Sequence, residues 1–103
     1  MATTVYKSEE ITLYSGKVIT LRPLKISILR AFMTEFERMA DAMSDNNKSI
    51  DVIMDCVAIA MRQYDPELAD NREALEDELD LPTAYKVIEV GAGIKLNDDD
   101  PNQ

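Results

Sequence analysis

Among the residue types that perform chemistry, histidine is absent from this 103-residue chain and cysteine occurs once. Histidine is the commonest general base and metal ligand, so the usual catalytic triads are excluded. With a single cysteine as well, a structural zinc site within one chain is excluded too. The remaining candidates are the carboxylates of Asp51 and Asp55, one helical turn apart, and the thiol of Cys56. Two carboxylates can share acid–base work when burial separates their pKa values.

The sequence around these candidates favours roles without catalysis. Asp51 and Asp55 belong to a narrow polar strip in an otherwise apolar segment, which is typical of a solvated helix face. Cys56 has the apolar residues Val52 and Val57 near it and no base close in sequence, so we interpret it as a buried, unreactive thiol. We therefore predict that the chain is not an enzyme and needs no cofactor.

Three further patterns resemble ligand-binding motifs but lack residues that those motifs need. Segment 45–49 has the spacing of a calcium loop, but Ile50 and Cys56 stand where that loop has glycine and glutamate. The "SGK" at 15–17 lacks the upstream glycine of a phosphate-binding loop. The aspartates at 98–100 are typical of a solvated tail. No metal or phosphate site is predicted.

The net charge of −9 is concentrated in one part of the chain. Residues 1–64 contain eight acidic and eight basic residues, whereas residues 65–103 contain twelve acidic and three basic residues. The last third therefore carries the whole excess. Such a charge repels phosphate backbones, so we expect no nucleic-acid partner. It favours solubility, or a basic protein partner.

The first regular element is predicted to be a β-hairpin around Ser15-Gly16. A two-residue loop would place Leu13 opposite Val18, and Ile11 opposite Thr20, on the core face. A hairpin of this size is marginal alone, and its open edges need protection. It therefore either covers the helical core of its own subunit or pairs with another chain. In the second case the edge residues for assembly are Ile11, Leu13, Val18 and Ile19.

Helical periodicity dominates the rest of the chain. A first helix is predicted from about Ser27, with an apolar face that consists of Leu29, Phe32, Met33, Phe36, Met39, Ala40 and Met43. Ser49 is the predicted N-cap of a second helix that ends near Tyr64. This helix is apolar around most of its circumference, so it lies at the centre of its domain or another subunit covers it.

Cap signals divide the last third into shorter helices. Asp65-Pro66 begins one helix or two short ones, Asp80 begins the last helix, and Gly91 is placed to end it. The predicted fold class is therefore α+β and mostly α-helical, with an N-terminal β-hairpin followed by about four helices. We assign residues 1–96 to a single domain and residues 97–103 to a short disordered acidic tail.

Neither a membrane span nor a secretory signal is predicted. The chain has no run of about 18 apolar residues, and its first residues lack an apolar core. A lone cysteine agrees with a reducing compartment. We therefore expect a cytoplasmic protein with no membrane partner.

Residues 11–39, "ITLYSGKVITLRPLKISILRAFMTEFERM", resemble the tail assembly chaperones of long-tailed, siphovirus-like bacteriophages. The likeness lies in a strand pair around "SGK", then "LRPLKISILR" leading into a helix. A very apolar helix follows, and then an acidic segment, "LEDELDLPTAYKVIEVGAGI", at 75–94.

The resemblance implies a small, mostly helical protein that self-associates. It implies binding to the tape measure protein, which is kept soluble while tail tube subunits polymerise around it. It also implies a protein of the host cytoplasm that is absent from the mature virion. In this family a ribosomal frameshift often adds a C-terminal extension that recruits the tail tube protein. This chain would then be the shorter product, with the extension joined near 97–103.

Two sets of residues follow from these interpretations. The residues expected to contact the client or another subunit, all equally explained as core, are Phe32, Met33, Phe36, Met39, Met54, Met61 and Tyr85. An alternative function is an acidic DNA mimic that inhibits a basic DNA-binding protein, through a row of carboxylates at Glu73, Glu76, Asp77, Glu78 and Asp80. A small structural tail component is a further alternative.

Overall fold

The computed structural model describes residues 8–42 and 44–94, which form a β-hairpin followed by helices around one hydrophobic core. The predicted α+β class is confirmed. Strand β1 spans Glu9–Thr12 and pairs antiparallel with β2, Val18–Leu21. The helices are α1 (Ile26–Phe36), α2 (Met39–Ala42), α3 (Asn46–Tyr64), α4 (Pro66–Ala69), α5 (Arg72–Glu78) and α6 (Leu81–Ala92). The predicted tail at 97–103, and Met43, lie outside the described residues.

The hairpin turn is one residue longer than predicted. The Leu13 N–H donates to the Lys17 carbonyl at 2.8 Å, and the Gly16 N–H donates to the Leu13 carbonyl at 2.8 Å. The loop therefore contains three residues, 14–16. Gly16 has φ +99°, a left-handed conformation that glycine adopts without steric cost.

The longer loop shifts the strand register, so the predicted pairing is wrong. Ile11 pairs with Ile19 rather than Thr20, and Thr12 pairs with Val18. A shift of one residue exchanges the two faces of a strand. Ile19 consequently enters the core beside Ile11, whereas Val18 is 53% exposed.

The helix predicted to reach Met43 is interrupted. Glu37 and Arg38 form a turn that separates α1 from α2. The next helix begins earlier than predicted, because Asp45 rather than Ser49 is its N-cap and accepts a hydrogen bond from the Lys48 N–H at 3.2 Å. Ser49 lies within α3, and its hydroxyl donates to the carbonyl of Ala42 at 2.7 Å. Ser49 thus ties α3 to the end of α2.

Helix α3 is the centre of the domain. It packs against α1, α2, α4, α5, α6 and β2. Its buried side chains are Val52, Ile53, Met54, Cys56, Val57, Ala60 and Met61. Neighbours within the chain therefore account for the apolar circumference of this helix, which is the first of the two predicted explanations.

The predicted helix starts at Asp65-Pro66 and Asp80 are confirmed, and Asp65-Pro66 begins two short helices rather than one. The side chains of Asp65, Asn71 and Asp80 each accept a hydrogen bond from the N–H three residues further on, at the starts of α4, α5 and α6. The end of α6 differs from the prediction, because Gly93, with φ +72°, ends the helix instead of Gly91.

Gly91 has a packing role instead. A Cβ atom at this position would lie 3.1 Å from Cγ of Leu24, closer than ordinary van der Waals contact. The Leu24 N–H donates to the Gly91 carbonyl at 2.9 Å. The chain leaving β2 therefore lies directly on α6. The hairpin packs mainly on α3 and α6 through β2.

Candidate interaction surface

The exposed apolar side chains of α1 form a continuous surface. Ile26 is 63% exposed and Met33 is 40% exposed, and half-buried Leu29 lies between them along the helix. Their spacing of three and four residues places them on one side of the helix. Half-buried Phe36 continues the row and stacks on buried Phe32, with ring centroids 5.8 Å apart. We call Ile26, Leu29, Met33 and Phe36 the α1 row.

Three of the predicted contact residues belong to the core, so their assignment to a contact surface is wrong. Phe32 and Met61 have no exposed surface, and Met54 is 6% exposed. The physical reason is that Phe32 lies at the centre of the packed face of α1, while Met54 and Met61 lie on central α3. Of the others, Met33 is exposed, and Phe36, Met39 and Tyr85 are half-buried.

The hairpin residues predicted to form an assembly edge divide in the same way. Ile11, Leu13 and Ile19 are buried in the core of their own chain, so their side chains do not reach another subunit. These residues lie on the face that covers α3 and α6, so an assembly edge would use the backbone groups of the strands, and it stays a prediction. Val18 alone of the four is exposed.

The tip of the hairpin is attached to the acidic last third. The Tyr14 N–H donates to the backbone carbonyl of Glu78 at 3.1 Å. The Ser15 N–H donates to the side-chain carboxylate of Glu78 at 2.7 Å. The Tyr14 hydroxyl donates to Asp80 at 3.2 Å. An ion pair of 2.6 Å joins Lys17 to Asp65. The acidic residues of the last third thus hold the hairpin in place, a role that the sequence did not indicate.

Other exposed apolar residues were missed. They are Tyr14, Ile26, Ile50 and Leu81. For Ile26 a signal was available, because it precedes Leu29 and Met33 at helical spacing and extends their row by one turn. It was missed because the first helix was predicted to begin at Ser27.

Neither carboxylate of the predicted polar strip is both buried and unpaired. Asp51 is exposed, whereas half-buried Asp55 forms ion pairs with Arg38 and Arg72. Burial alone would raise the pKa of Asp55, but hydrogen bonds from Arg72 and Arg38 hold it below its usual value. Cys56 is buried, and burial raises its pKa to about 12. The thiol is therefore protonated and unreactive at neutral pH.

The described residues contain no group of three or more side chains arranged to hold a metal ion. In the segment that has calcium-loop spacing, the Asp45 carboxylate is used as a helix cap. Within the same part of the chain, no helix is both long and apolar enough to cross a membrane.

The carboxylates considered for the DNA-mimic alternative are only partly free. Glu78 accepts a hydrogen bond from the hairpin, Asp80 caps α6, and Glu76 lies 3.8 Å from Arg72. Glu73 and Asp77 are exposed. Internal contacts therefore interrupt the row.

Comparison of the chain with protein-family models, curated proteins and solved structures found no match.

Proposed function

We propose that this chain is a tail assembly chaperone of long-tailed bacteriophages. In this proposal it binds and solubilises the tape measure protein in the host cytoplasm and helps tail tube subunits polymerise around it. The sequence resemblance, which spans about residues 11–96, supports this function. The α1 row carries it, because an apolar stripe left exposed by a folded chain is what binding an apolar client helix requires.

The chemistry of the row suits a long helical client. Residues 26, 29 and 33 provide one side of a helix–helix contact, and methionine adapts to irregular partners. The acidic last third lies on other elements and keeps a complex in solution by charge repulsion. A chaperone needs both properties: an adhesive surface and a strongly charged remainder.

Co-expression with tape measure segments tests the proposal. The native chain is expected to increase the soluble fraction of a tape measure segment several-fold and to co-purify with it. The double variant Ile26→Glu/Met33→Glu is expected to lose both effects, because it places two charges on the α1 row. Thr34→Glu is the matched control, since it adds a charge to an exposed position on another side of α1.

The outcomes separate a folding defect from a lost contact. Circular dichroism and urea denaturation must show that the double variant remains folded. Loss of co-purification in that variant, with retention in Thr34→Glu, supports the proposed contact. A native chain that leaves every tape measure segment insoluble would contradict the proposed function.

A further inference from the structure

An open groove of about 930 Å³ runs along β2 towards the end of α3. The residues that line it along the hairpin are Lys17, Val18 and Thr20. Those that line it after β2 are Arg22 and Lys25. Gln63 and Tyr64 close it at the end of α3. We call this the β2 groove.

The β2 groove is basic in a chain whose net charge is −9. Of the residues that the structure describes, three with cationic side chains line it and none with an acidic side chain does. Lys17 is already paired with Asp65 at 2.6 Å. Among residues 8–42 and 44–94, Arg22 and Lys25 form no ion pair with a carboxylate. Their two positive charges are therefore available to an acidic ligand.

The groove also contains an open strand edge. In the observed register, Leu13 with Lys17 and Ile11 with Ile19 are the hydrogen-bonded pairs, so the N–H and C=O groups of Val18 and Thr20 point away from β1. The sheet formed by the described residues has two strands, so no third strand pairs with this edge. An extended segment in the groove would therefore meet backbone hydrogen-bonding groups as well as charge.

The end of α6 lies close to this groove, and an acidic segment follows it in the sequence. The Leu24 N–H donates to the carbonyl of Gly91 at 2.9 Å, so the end of α6 lies beside a residue whose two neighbours, Pro23 and Lys25, line the groove. Residues 95–103 follow, with consecutive aspartates at 98–100. At about 3.3 Å per residue, four to six residues span roughly 13–20 Å. Arg22 is two residues before Leu24 and Ile94 is three residues after Gly91, so a segment of this length that starts at Ile94 can reach Lys25 and Arg22.

We propose that Asp98–Asp100 bind in the β2 groove of their own chain, against Arg22 and Lys25. The segment covers the open edge of β2, which protects the hairpin from pairing with the edge of another chain. Because the contacting charges are exposed, the interaction weakens as the salt concentration rises. This inference does not depend on the proposed chaperone function.

A spin label on the full-length chain tests the proposal. Gln103→Cys gives one reactive thiol, because Cys56 is buried with a pKa of about 12. With ¹⁵N-labelled protein at low salt, the label is expected to broaden the amide signals of Val18, Thr20 and Gln63. The broadening should fall by at least half in the variant Asp98→Asn/Asp99→Asn/Asp100→Asn, and likewise at 0.5 M salt.

A matched control removes acidic charge elsewhere. Glu73→Gln/Asp77→Asn neutralises two exposed carboxylates on α5, and the broadening should persist in that variant. Equal broadening in the native chain and the triple Asn variant would overturn the proposal, as would its absence from both. A mixture of spin-labelled ¹⁴N protein and ¹⁵N protein without a spin label shows whether the segment of one chain contacts another chain. Broadening of these signals in that mixture would assign the segment to a second copy and would also overturn the proposal.

Discussion

The Asp55 carboxylate connects three parts of the chain by charge. It accepts a hydrogen bond from Arg38, in the turn after α1, at 3.2 Å, and another from Arg72 of α5. Arg38 also pairs with Glu35. Burial raises the pKa of Asp55, but the two arginines more than offset this effect, so its folded-state pKa is below the ordinary value of 3.8. The carboxylate is therefore a structural tie rather than a proton donor.

Replacement of Asp55 by asparagine is expected to reduce the free energy of unfolding by about 1–2 kcal/mol at pH 7, because a half-exposed carboxylate loses charge-assisted hydrogen bonds. A folded-state pKa below the unfolded value means that this stabilisation is complete well above pH 3.8 and is lost as pH falls through the folded-state pKa. The difference between native and Asp55→Asn chains should therefore shrink below about pH 4. Urea denaturation at pH 7, 4 and 3 measures it.

Asp51 provides the control for this prediction. It lies one turn earlier on α3, is exposed, and forms no ion pair among the described residues. Asp51→Asn is expected to change the free energy of unfolding by less than about 0.5 kcal/mol. An equal loss in both variants would show that the arginine contacts of Asp55 do not stabilise the fold.

At the scale of elements, the end of α3 holds the chain that leaves β2. The Tyr64 hydroxyl donates to the carbonyl of Arg22 and accepts from its N–H at 3.3 Å. Gln63 accepts from the Lys25 N–H at 2.8 Å and donates to the carbonyl of Pro23 at 3.1 Å. Burial raises the pKa of Tyr64, although its hydrogen bond to Arg22 opposes this. The side chains of Tyr64 and Gln63 thus provide hydrogen bonds that a neighbouring strand would otherwise make with the backbone of residues 22–25.

Tyr64→Phe is expected to lower the free energy of unfolding by about 1 kcal/mol, because the backbone of Arg22 loses its partner. In this variant, hydrogen exchange at the Arg22 amide should be faster than in the native chain. The increase should be larger there than at amides within α3. Tyr85→Phe is the control, since Tyr85 is also half-buried but its hydroxyl has no hydrogen bond among the described residues. Unchanged exchange at Arg22 in Tyr64→Phe would contradict the proposed role of the hydroxyl.

At the scale of the whole molecule, adhesive and repulsive surfaces coexist. The proposed function assigns the apolar α1 row to the client, which leaves Tyr14, Ile50 and Leu81 as exposed apolar surface on other elements. The acidic excess belongs to residues 65–103. Apolar surface favours association, whereas like charges oppose it and limit its extent. On this balance we predict defined oligomers rather than open-ended aggregation.

We therefore expect light scattering at two protein concentrations to give a mass above the 11.6 kDa of one chain. Raising the salt concentration should increase the mass, because it screens the acidic repulsion. Ile26→Glu/Met33→Glu should keep the native mass, since the α1 row is assigned to the client. A monomer at high concentration would contradict self-association, and a monomer only in the double variant would reassign the row to subunit contact.

The sequence alone determined those features that depend on local chemistry. Asp65-Pro66 and Asp80 were recognised as helix starts because a cap carboxylate and a proline act on the adjacent turn only. The burial of Cys56 and the existence of the hairpin also followed from apolar patterning. These signals need no information about distant parts of the chain.

Tertiary structure decided what depends on distant neighbours. Phe32, Met54 and Met61 match an adaptable surface as well as they match a core, and only the central position of α3 buries them. Likewise, Gly91 and Gly93 are both plausible helix ends in sequence. A Cβ atom at position 91 would press on Leu24, so packing favours glycine there, and Gly93 adopts the left-handed conformation that ends the helix. Packing between residues far apart in sequence separates these alternatives, because local energies differ too little to do so.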